Sequence, residues 1–120
     1  MADYELELPW PPSVNGYWRN FRGRQIISKR GREYRVAAIA RLTELGLSNE
    51  NLSGRLKLSV DLHPPTLRRY DVDNFFKAFM DALSHANFWL DDEQVDILRA
   101  AKCAKVKGGK IKIKVELITG

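Results

Sequence analysis

The sequence predicts a single α+β domain spanning residues 1–120, with two main helices packed on one mixed β-sheet. Three observations support this prediction. Segments in which apolar and polar residues alternate occur near both ends and in the middle of the chain, and two segments with apolar residues at helical spacing lie between them. No repeat or linker divides the chain, and 120 residues suffice to bury one core.

The first half of the chain predicts a strand, a loop and a helix. Residues 4–8 alternate and end at a proline-rich segment, residues 13–24 resemble an ordered loop, and residues 25–27 add a short strand. Ser28 is the expected N-cap of a helix that runs to about Leu45, with Gly46 as its stop. The expected buried stripe of this helix consists of Tyr34, Ala37, Ala38, Leu42 and Leu45.

The second half predicts a buried strand followed by a second helix. Residues 56–62 alternate and stop at a pair of prolines, as expected of a half-buried strand. The second helix is expected from about Asp73 to Ala86. Its apolar stripe consists of Val72, Phe76, Phe79 and Leu83.

The C-terminal residues predict a β-hairpin around Gly108 and Gly109, a pair that readily adopts the positive φ angles of a tight turn. A two-residue turn would place like charges directly opposite each other, which destabilises a sheet. The expected pairs are Lys107 with Lys110, Lys105 with Lys112 and Cys103 with Lys114. Phosphate binding would offset this repulsion, whereas edge protection by lysine is the alternative explanation.

An acidic segment interrupts this basic chain, whose net charge is +5. Residues 71–96 contain one cation, Lys77, and seven carboxylates, namely Asp71, Asp73, Asp81, Asp91, Asp92, Glu93 and Asp96. A basic surface attracts polyanions, whereas clustered carboxylates repel them unless a metal ion lies between. The combination indicates chemistry on a phosphate backbone.

Asp71 and Asp73 can face one point only if the chain is extended at Asp71 and the helix begins at or near Asp73. Carboxylate oxygens are the ligands that a hard divalent cation prefers, and Asp91 or Asp92 could supply a third. The alternative is that these residues are ordinary helix caps and solvated turn residues. Lys77, four residues after Asp73, is either half of a surface ion pair or a cation that stabilises charge on a phosphate.

Two basic surfaces are candidates for DNA binding. Arg19, Arg22 and Arg24 lie among Tyr17, Trp18 and Phe21, which could stack on bases, although packing is the more common role of each aromatic. Arg68 and Arg69 precede the acidic segment. The lysines of the predicted hairpin, Lys105, Lys107, Lys110 and Lys112, form the second surface.

Other classes of protein are disfavoured. The acidic start of the chain lacks the apolar run of a signal peptide, and no segment approaches the ~20 apolar residues of a membrane span. We therefore expect a cytoplasmic protein without a membrane partner. Nothing in the sequence indicates an organic cofactor, and one cysteine with two histidines makes a structural zinc site improbable.

Four segments together resemble the RusA family of Holliday junction resolvases. They are residues 8–15 (Leu-Pro-Trp-Pro-Pro-Ser-Val-Asn), residues 68–77 (Arg-Arg-Tyr-Asp-Val-Asp-Asn-Phe-Phe-Lys), residues 81–83 (Asp-Ala-Leu) and residues 88–95 (Phe-Trp-Leu-Asp-Asp-Glu-Gln-Val). The spacing Asp-x-Asp-Asn-x-x-Lys, joined to a downstream Phe-Trp-x-Asp-Asp, is more specific than any one of the segments.

The resemblance implies a homodimeric, Mg²⁺-dependent endonuclease that nicks two opposed strands of a four-way DNA junction, with Mn²⁺ as a possible substitute. By matching positions, the metal-binding acids fall on Asp71, Asp73 and Asp92, with Asp91 less certain, and the essential lysine falls on Lys77. The residues alone leave three alternatives open. These are a non-catalytic DNA-binding protein, a metal-dependent nuclease for other branched nucleic acids, and a protein-interaction module whose charged faces bind a partner chain.

Overall fold

The computed structural model describes residues 2–118 and contains a four-stranded sheet, a two-stranded ribbon and a layer of helices. The elements are β1 (Tyr4–Pro9), α1 (Val14–Tyr17), β2 (Trp18–Phe21), β3 (Arg24–Ile27), α2 (Lys29–Glu44), β4 (Leu56–His63), α3 (Phe76–His85), β5 (Val95–Lys102) and β6 (Lys110–Leu117). The sheet order is β1-β6-β4-β5, in which only β4 and β5 are parallel. The predicted α+β architecture with a mixed sheet is therefore confirmed.

The core lies between one face of the sheet and the helices. Along β4, Leu56, Leu58, Val60 and Leu62 are buried while the residues between them are half-buried. Full burial of each such side chain contributes about 1.5–3 kcal/mol. Because β4 is flanked by β5 and β6, its backbone is hydrogen-bonded on both sides, and the alternation of its side chains reports which face meets the helices.

Helix α2 follows the prediction at its ends but not along its whole apolar stripe. The Ser28 hydroxyl accepts a hydrogen bond from the Gly31 amide (3.0 Å), as expected of the N-cap. Tyr34, Ala38 and Leu42 are buried, as the spacing predicted, but Ala37 and Leu45 are exposed. Ala37 lies to the side of the buried stripe, and Leu45 is the C-cap, where the helix has already ended.

The prediction of a loop over residues 13–24 was wrong. Ser13 caps the short helix α1, and β2 and β3 form an antiparallel ribbon that turns at Arg22 (φ 52°) and Gly23 (φ 76°). Two consecutive positive φ angles match the right-handed twist of paired strands. The short strand predicted over residues 25–27 is confirmed as part of β3, whereas β2 is four residues long and mostly exposed and carries no alternating apolar pattern that could have revealed it.

The prediction of a C-terminal hairpin was also wrong, because β4 lies between β5 and β6. Residues 103–109 cross the end of β4, where the Cys103 amide donates to the Leu62 carbonyl (2.8 Å). Both glycines do have positive φ, and a Cβ on Gly109 would lie 2.8 Å from the Cβ of Trp10. The glycine pair thus turns the chain at a crowded crossing instead of joining two paired strands.

This topology removes the opposed lysines. Lys112 lies between Glu7 of β1 and Asp61 of β4, and Lys114 lies between Glu5 and Ser59. Cross-strand neighbours of opposite charge stabilise a sheet, whereas the predicted lysine pairs would have destabilised it. The argument for phosphate binding that rested on those pairs therefore no longer holds.

Within residues 2–118, no helix combines the length and the apolar character needed to cross a membrane.

Candidate active site

Asp71 and Asp73 lie at the start of the segment that leads into α3. Asp71 is extended (φ −97°, ψ 136°), and Asp73 belongs to a 3₁₀ turn, Val72–Phe75, that precedes the α-helix. Both residues are exposed, and the Asp71 side chain makes no capping hydrogen bond to the turn. The predicted backbone change between the two aspartates is confirmed, although the α-helix itself begins only at Phe76 and ends at His85.

Lys77 pairs with a carboxylate that the sequence did not single out. Its Nζ lies 3.2 Å from Oδ1 of Asp81, one turn further along α3. The Lys77 ammonium also lies 5.6 Å from the ring centroid of Trp18 on β2. The expectation that Asp73 and Lys77 share one helix face assumed a continuous α-helix. Asp73 lies instead in a 3₁₀ turn, which advances about 120° per residue, so the two side chains are not aligned as in an α-helix.

A chain of hydrogen bonds holds Asp81 in place. The buried Tyr17 hydroxyl donates to Oδ2 of Asp81 (2.9 Å) and accepts from a guanidinium nitrogen of Arg35 (2.9 Å). Burial raises the pKa of Tyr17, so its hydroxyl remains a neutral donor. Asp81 is therefore fixed between Tyr17 and Lys77. The i,i+4 spacing of Lys77 and Asp81 was the signal in the sequence that could have indicated this pair.

Asp91 and Asp92 have different environments although they are adjacent. Asp91 caps a second 3₁₀ turn, Asp92–Gln94, by accepting a hydrogen bond from the Glu93 amide (3.0 Å). That bond, followed by one from the Asp92 carboxyl, lowers the pKa of Asp91. Asp91 therefore acts as the cap of this turn, and its role as a metal ligand stays a prediction.

Asp92 is half-buried and does not cap the turn. Burial raises the pKa of its carboxyl, and the neighbouring Asp91 carboxylate raises it further. Among the more distant groups, Lys77 lowers the pKa of Asp92 and Asp81 raises it, so Asp92 lies within electrostatic reach of both. A cation at Asp92 would relieve this repulsion between carboxylates.

Buried aromatic residues anchor the loop that carries Asp91 and Asp92. Phe88 and Trp89 are fully buried, and the indole nitrogen of Trp89 donates to the Ser84 hydroxyl (2.7 Å). On the other side, the Gln94 amide donates to the carbonyls of Leu52 (3.0 Å) and Gly54 (2.9 Å). The Phe-Trp-x-Asp-Asp motif therefore combines a packing anchor with the acids that follow it.

Arg55 binds the residues that follow Asp91 and Asp92 in the same loop. Its guanidinium lies 2.6 Å from Oδ1 of Asp96 and 3.1 Å from Oε1 of Glu93, and it donates to the Glu93 carbonyl (2.7 Å). These contacts tie the second 3₁₀ turn to the start of β4. Hydrogen bonds from Arg55 lower the pKa of Asp96.

We predict that Arg55→Gln lowers the melting temperature by a few degrees at pH 7 and by less in strong acid, where the hydrogen bond from Arg55 to the Glu93 carbonyl remains. The pKa of Asp96 is lower in the folded than in the unfolded protein, so its pairing stabilises the fold above the ordinary value of 3.8. This contribution disappears as the pH falls through the folded pKa. Thermal unfolding between pH 7 and pH 2 measures the effect, with Arg99→Gln on exposed β5 as the control. An Arg55→Gln difference that is the same at all pH values would contradict the assignment.

The carboxylates are not grouped in the described part of the chain as a metal site would require. Among residues 2–118, no cluster of three or more Asp, Glu, His or Cys side chains is arranged to hold a metal ion. Asp71 lines a hollow of about 350 Å³ with Arg69, Tyr70, Asn74 and Lys102, and neither Asp73 nor Asp92 is among the lining residues of that hollow. The oxygen donors suit a divalent cation, but the described residues do not form a preorganised three-carboxylate site.

The candidate DNA-binding arginines are divided between two places. Arg19, Arg22 and Arg24 lie on the ribbon, where the guanidinium carbons of Arg19 and Arg22 lie 5.5 and 5.2 Å from the ring centroid of Phe21. Phe21 is 47% exposed, whereas Tyr17 is fully buried and Trp18 packs against it. For Tyr17 and Trp18, the packing interpretation is therefore confirmed.

The other candidate cations differ in how far acids neutralise them. Arg68, Arg69 and Lys105 line hollows along residues 64–71, whereas Lys107 lies in the turn before β6. Lys110 is paired with Glu7 (3.3 Å), and Lys112 lies between two acidic neighbours.

Exposed and half-buried aspartates and an ion-paired, partly exposed lysine, on a small basic α+β scaffold, are the chemical groups of a candidate phosphodiester-cleaving enzyme of the carboxylate type. Comparison with known proteins agrees with this class. Residues 9–117 match the family model described as endodeoxyribonuclease RusA. The chain belongs to the RusA family of endodeoxyribonucleases.

Individual relatives extend over nearly the whole chain. A crossover junction endodeoxyribonuclease RusA from Escherichia coli (strain K12) is 41% identical over 115 residues, which cover 96% of this chain and 95% of that protein. The protein of the same name from Enterobacteria phage 82 is 42% identical over the same shares of both chains. One from Shigella sonnei (strain Ss046) is 41% identical, with the same coverage.

Proposed function

We propose that this chain is a crossover junction endodeoxyribonuclease that resolves Holliday junctions by paired, symmetric nicks in the cytoplasm. The observation that carries the proposal is identity of 41% over 96% of the chain to a protein of that name. The match spans both segments that contain the candidate acids. The activity follows from family membership together with the chemistry of these side chains.

We propose that Asp71, Asp73 and Asp92 bind the divalent ion, with Mg²⁺ as the expected cofactor and Mn²⁺ as a substitute. The exposed carboxylates of Asp71 and Asp73 and the raised pKa of Asp92 support this assignment. Asp91 is the weaker candidate, because its carboxylate is already used as a cap. A bound ion would neutralise charge on the scissile phosphate and activate the attacking water.

Lys77 is proposed to stabilise negative charge as the phosphodiester is cleaved. Its ammonium lies beside Asp81, within electrostatic reach of Asp92 and close to the ring of Trp18. Since Asp81 is held by Tyr17, the ammonium is positioned by a fixed partner rather than by a mobile one. Such preorganisation allows a cation to stabilise a transition state without first being reoriented.

DNA contacts are proposed for two groups of cations on different parts of the chain. One group is on the ribbon and the other is around residues 64–71, and their members are Arg19, Arg22, Arg24, Arg68, Arg69 and Lys105. Lys107, Lys110 and Lys112 remain weaker proposals, since Lys110 and Lys112 have acidic neighbours. Phosphate contacts of this kind position DNA without reading its sequence.

We further propose that the enzyme acts as a homodimer. Each chain supplies one set of candidate acids, whereas resolution of a four-way junction requires two symmetric cuts. A two-fold axis places two equivalent centres on the two opposed strands.

The proposal is tested with a labelled mobile four-way junction, incubated with the protein and Mg²⁺ with or without a chelator. We expect paired nicks at symmetric positions on two opposed strands, and no cleavage when the ion is chelated. Duplex, flap and loop substrates of equal length serve as controls. Equal cleavage of the controls would support a general nuclease, and binding without any cleavage would support a non-catalytic DNA-binding protein.

A further inference from the structure

Three neighbouring hollows lie along residues 64–71 and have Arg69 and Tyr70 in common among their lining residues. The first, of about 350 Å³, opens at Asp71 and Lys102. The other two, of about 340 and 330 Å³, are lined in addition by Arg30 and by Lys105, respectively. We refer to these three adjoining hollows together as the Asp71 groove.

The Asp71 groove is strongly basic. Five cations line it, namely Arg30, Arg68, Arg69, Lys102 and Lys105, and Asp71 is the one acid among its lining residues. This balance attracts a polyanion in spite of the nearby aspartates.

Another hollow, of about 590 Å³, has a different charge balance. Three acids and three cations line it, namely Glu5, Glu7, Asp61, Arg41, Lys112 and Lys114. Because the numbers of acids and cations are equal, this hollow is a poorer site for a phosphate backbone than the Asp71 groove.

A cation–π contact with Tyr70 positions the Lys102 ammonium in the Asp71 groove. Its Nζ lies 4.7 Å from the ring centroid of Tyr70, and that ring packs edge-on against Trp10 and Phe75. A cation–π contact positions an ammonium, yet the three N–H donors can still bind an anion. The Tyr70 hydroxyl is buried without a hydrogen-bond partner in residues 2–118, so packing and Lys102 hold this ring.

We propose that Lys102 and Arg69 bind the backbone phosphate next to the phosphodiester at Asp71, and that Arg30 and Lys105 bind phosphates further along the groove. The ligand is the sugar–phosphate backbone of one DNA strand, bound without regard to sequence. The inference rests on the proposed function, since that function makes this the strand that is cut. Lys102 thus offsets the repulsion between the phosphate backbone and the exposed aspartates.

The test measures binding of the full-length protein to a labelled four-way junction in a chelator, over a series of salt concentrations. We expect Lys102→Gln to weaken binding about 3- to 10-fold and to reduce the slope of log K against log salt by about 1, the loss of one phosphate contact. Lys102→Arg retains the charge and restores the slope. Lys114→Gln is the matched control, because that lysine lies on β6 beside Glu5 and outside the groove. We expect its slope to equal that of the unmodified protein.

A second measurement locates the phosphate. Junctions that carry one neutral methylphosphonate linkage, moved stepwise along a strand, should show one position at which the unmodified protein loses affinity and Lys102→Gln does not. A folded Lys102→Gln protein with unchanged affinity and slope would overturn the proposal. So would the absence of any linkage that distinguishes the two proteins. Both readouts are binding measurements, so failure of cleavage alone would count against the proposed nuclease and not against the groove.

Discussion

Asp73→Asn is expected to leave the protein folded and able to bind a four-way junction, while Mg²⁺-dependent cleavage falls on the order of 10³-fold or more. Asparagine keeps the size of the side chain and removes its charge. Because Asp73 is exposed, the fold does not depend on that charge, and its loss reduces repulsion of phosphate. Junction binding should therefore be kept or tightened. Cleavage is measured as a single-turnover rate and binding by gel shift without divalent ions.

Asp91→Asn is the matched control for this variant. Asparagine caps a helical turn about as well as aspartate, so the second 3₁₀ turn should remain intact. We expect Asp91→Asn to retain cleavage within about tenfold, since one exposed capping charge is lost and the cap is kept. If Asp91→Asn abolishes cleavage as Asp73→Asn does, Asp91 belongs with the metal-binding acids. If Asp73→Asn cuts normally, the assignment of Asp73 is wrong.

Lys77→Met is expected to reduce cleavage by about 10²- to 10³-fold, the usual cost of removing one preorganised electrostatic stabiliser. Methionine preserves the aliphatic stem beside Trp18 but leaves Asp81 without its ammonium partner. Junction binding should change little, because the proposed role of Lys77 lies in the chemical step. Lys77→Arg, which keeps a cation, should recover part of the rate.

Lys29→Met supplies the control for loss of a simple surface pair. Lys29 lies 3.8 Å from Glu33 at the same i,i+4 spacing, and both side chains are largely exposed. Exposed pairs of this type contribute only about 0.3–0.5 kcal/mol. If Lys77→Met and Lys29→Met cut the junction at the same rate, Lys77 is half of a surface ion pair and has no role in catalysis.

Strands and helices with regular apolar patterns were predictable from the sequence. The alternation along β4 and the capping serine of α2 reflect local rules, namely side-chain period and hydrogen bonding at a helix end. β2 was not predictable in the same way, because a mostly exposed four-residue strand has no buried face to impose a period, whereas residues 25–27 of β3 were predicted as a strand.

The sequence indicated the candidate site residues better than it indicated which side chains contact them. The residues alone indicated Asp71, Asp73 and Lys77 together with either Asp91 or Asp92, and the family resemblance selected Asp92. The sequence did not indicate that Asp81 pairs with Lys77, since that contact depends on the 3₁₀ turn and on Tyr17 from another element. Lys102 was likewise missed, because its neighbour Tyr70 is brought close only by the fold.

By itself, the sequence determined the fold class, the main elements and the acidic residues on which the proposed function depends. These properties follow from composition, side-chain period and motif spacing, which are local. Only the tertiary structure decided which strands are neighbours, and therefore which charges face each other. By inserting β4 between β5 and β6, it set Lys112 between Glu7 and Asp61 and left the Asp71 groove as the more basic surface. Strand pairing is a long-range choice, settled by the burial of Leu58 and its neighbours rather than by a glycine pair in one turn.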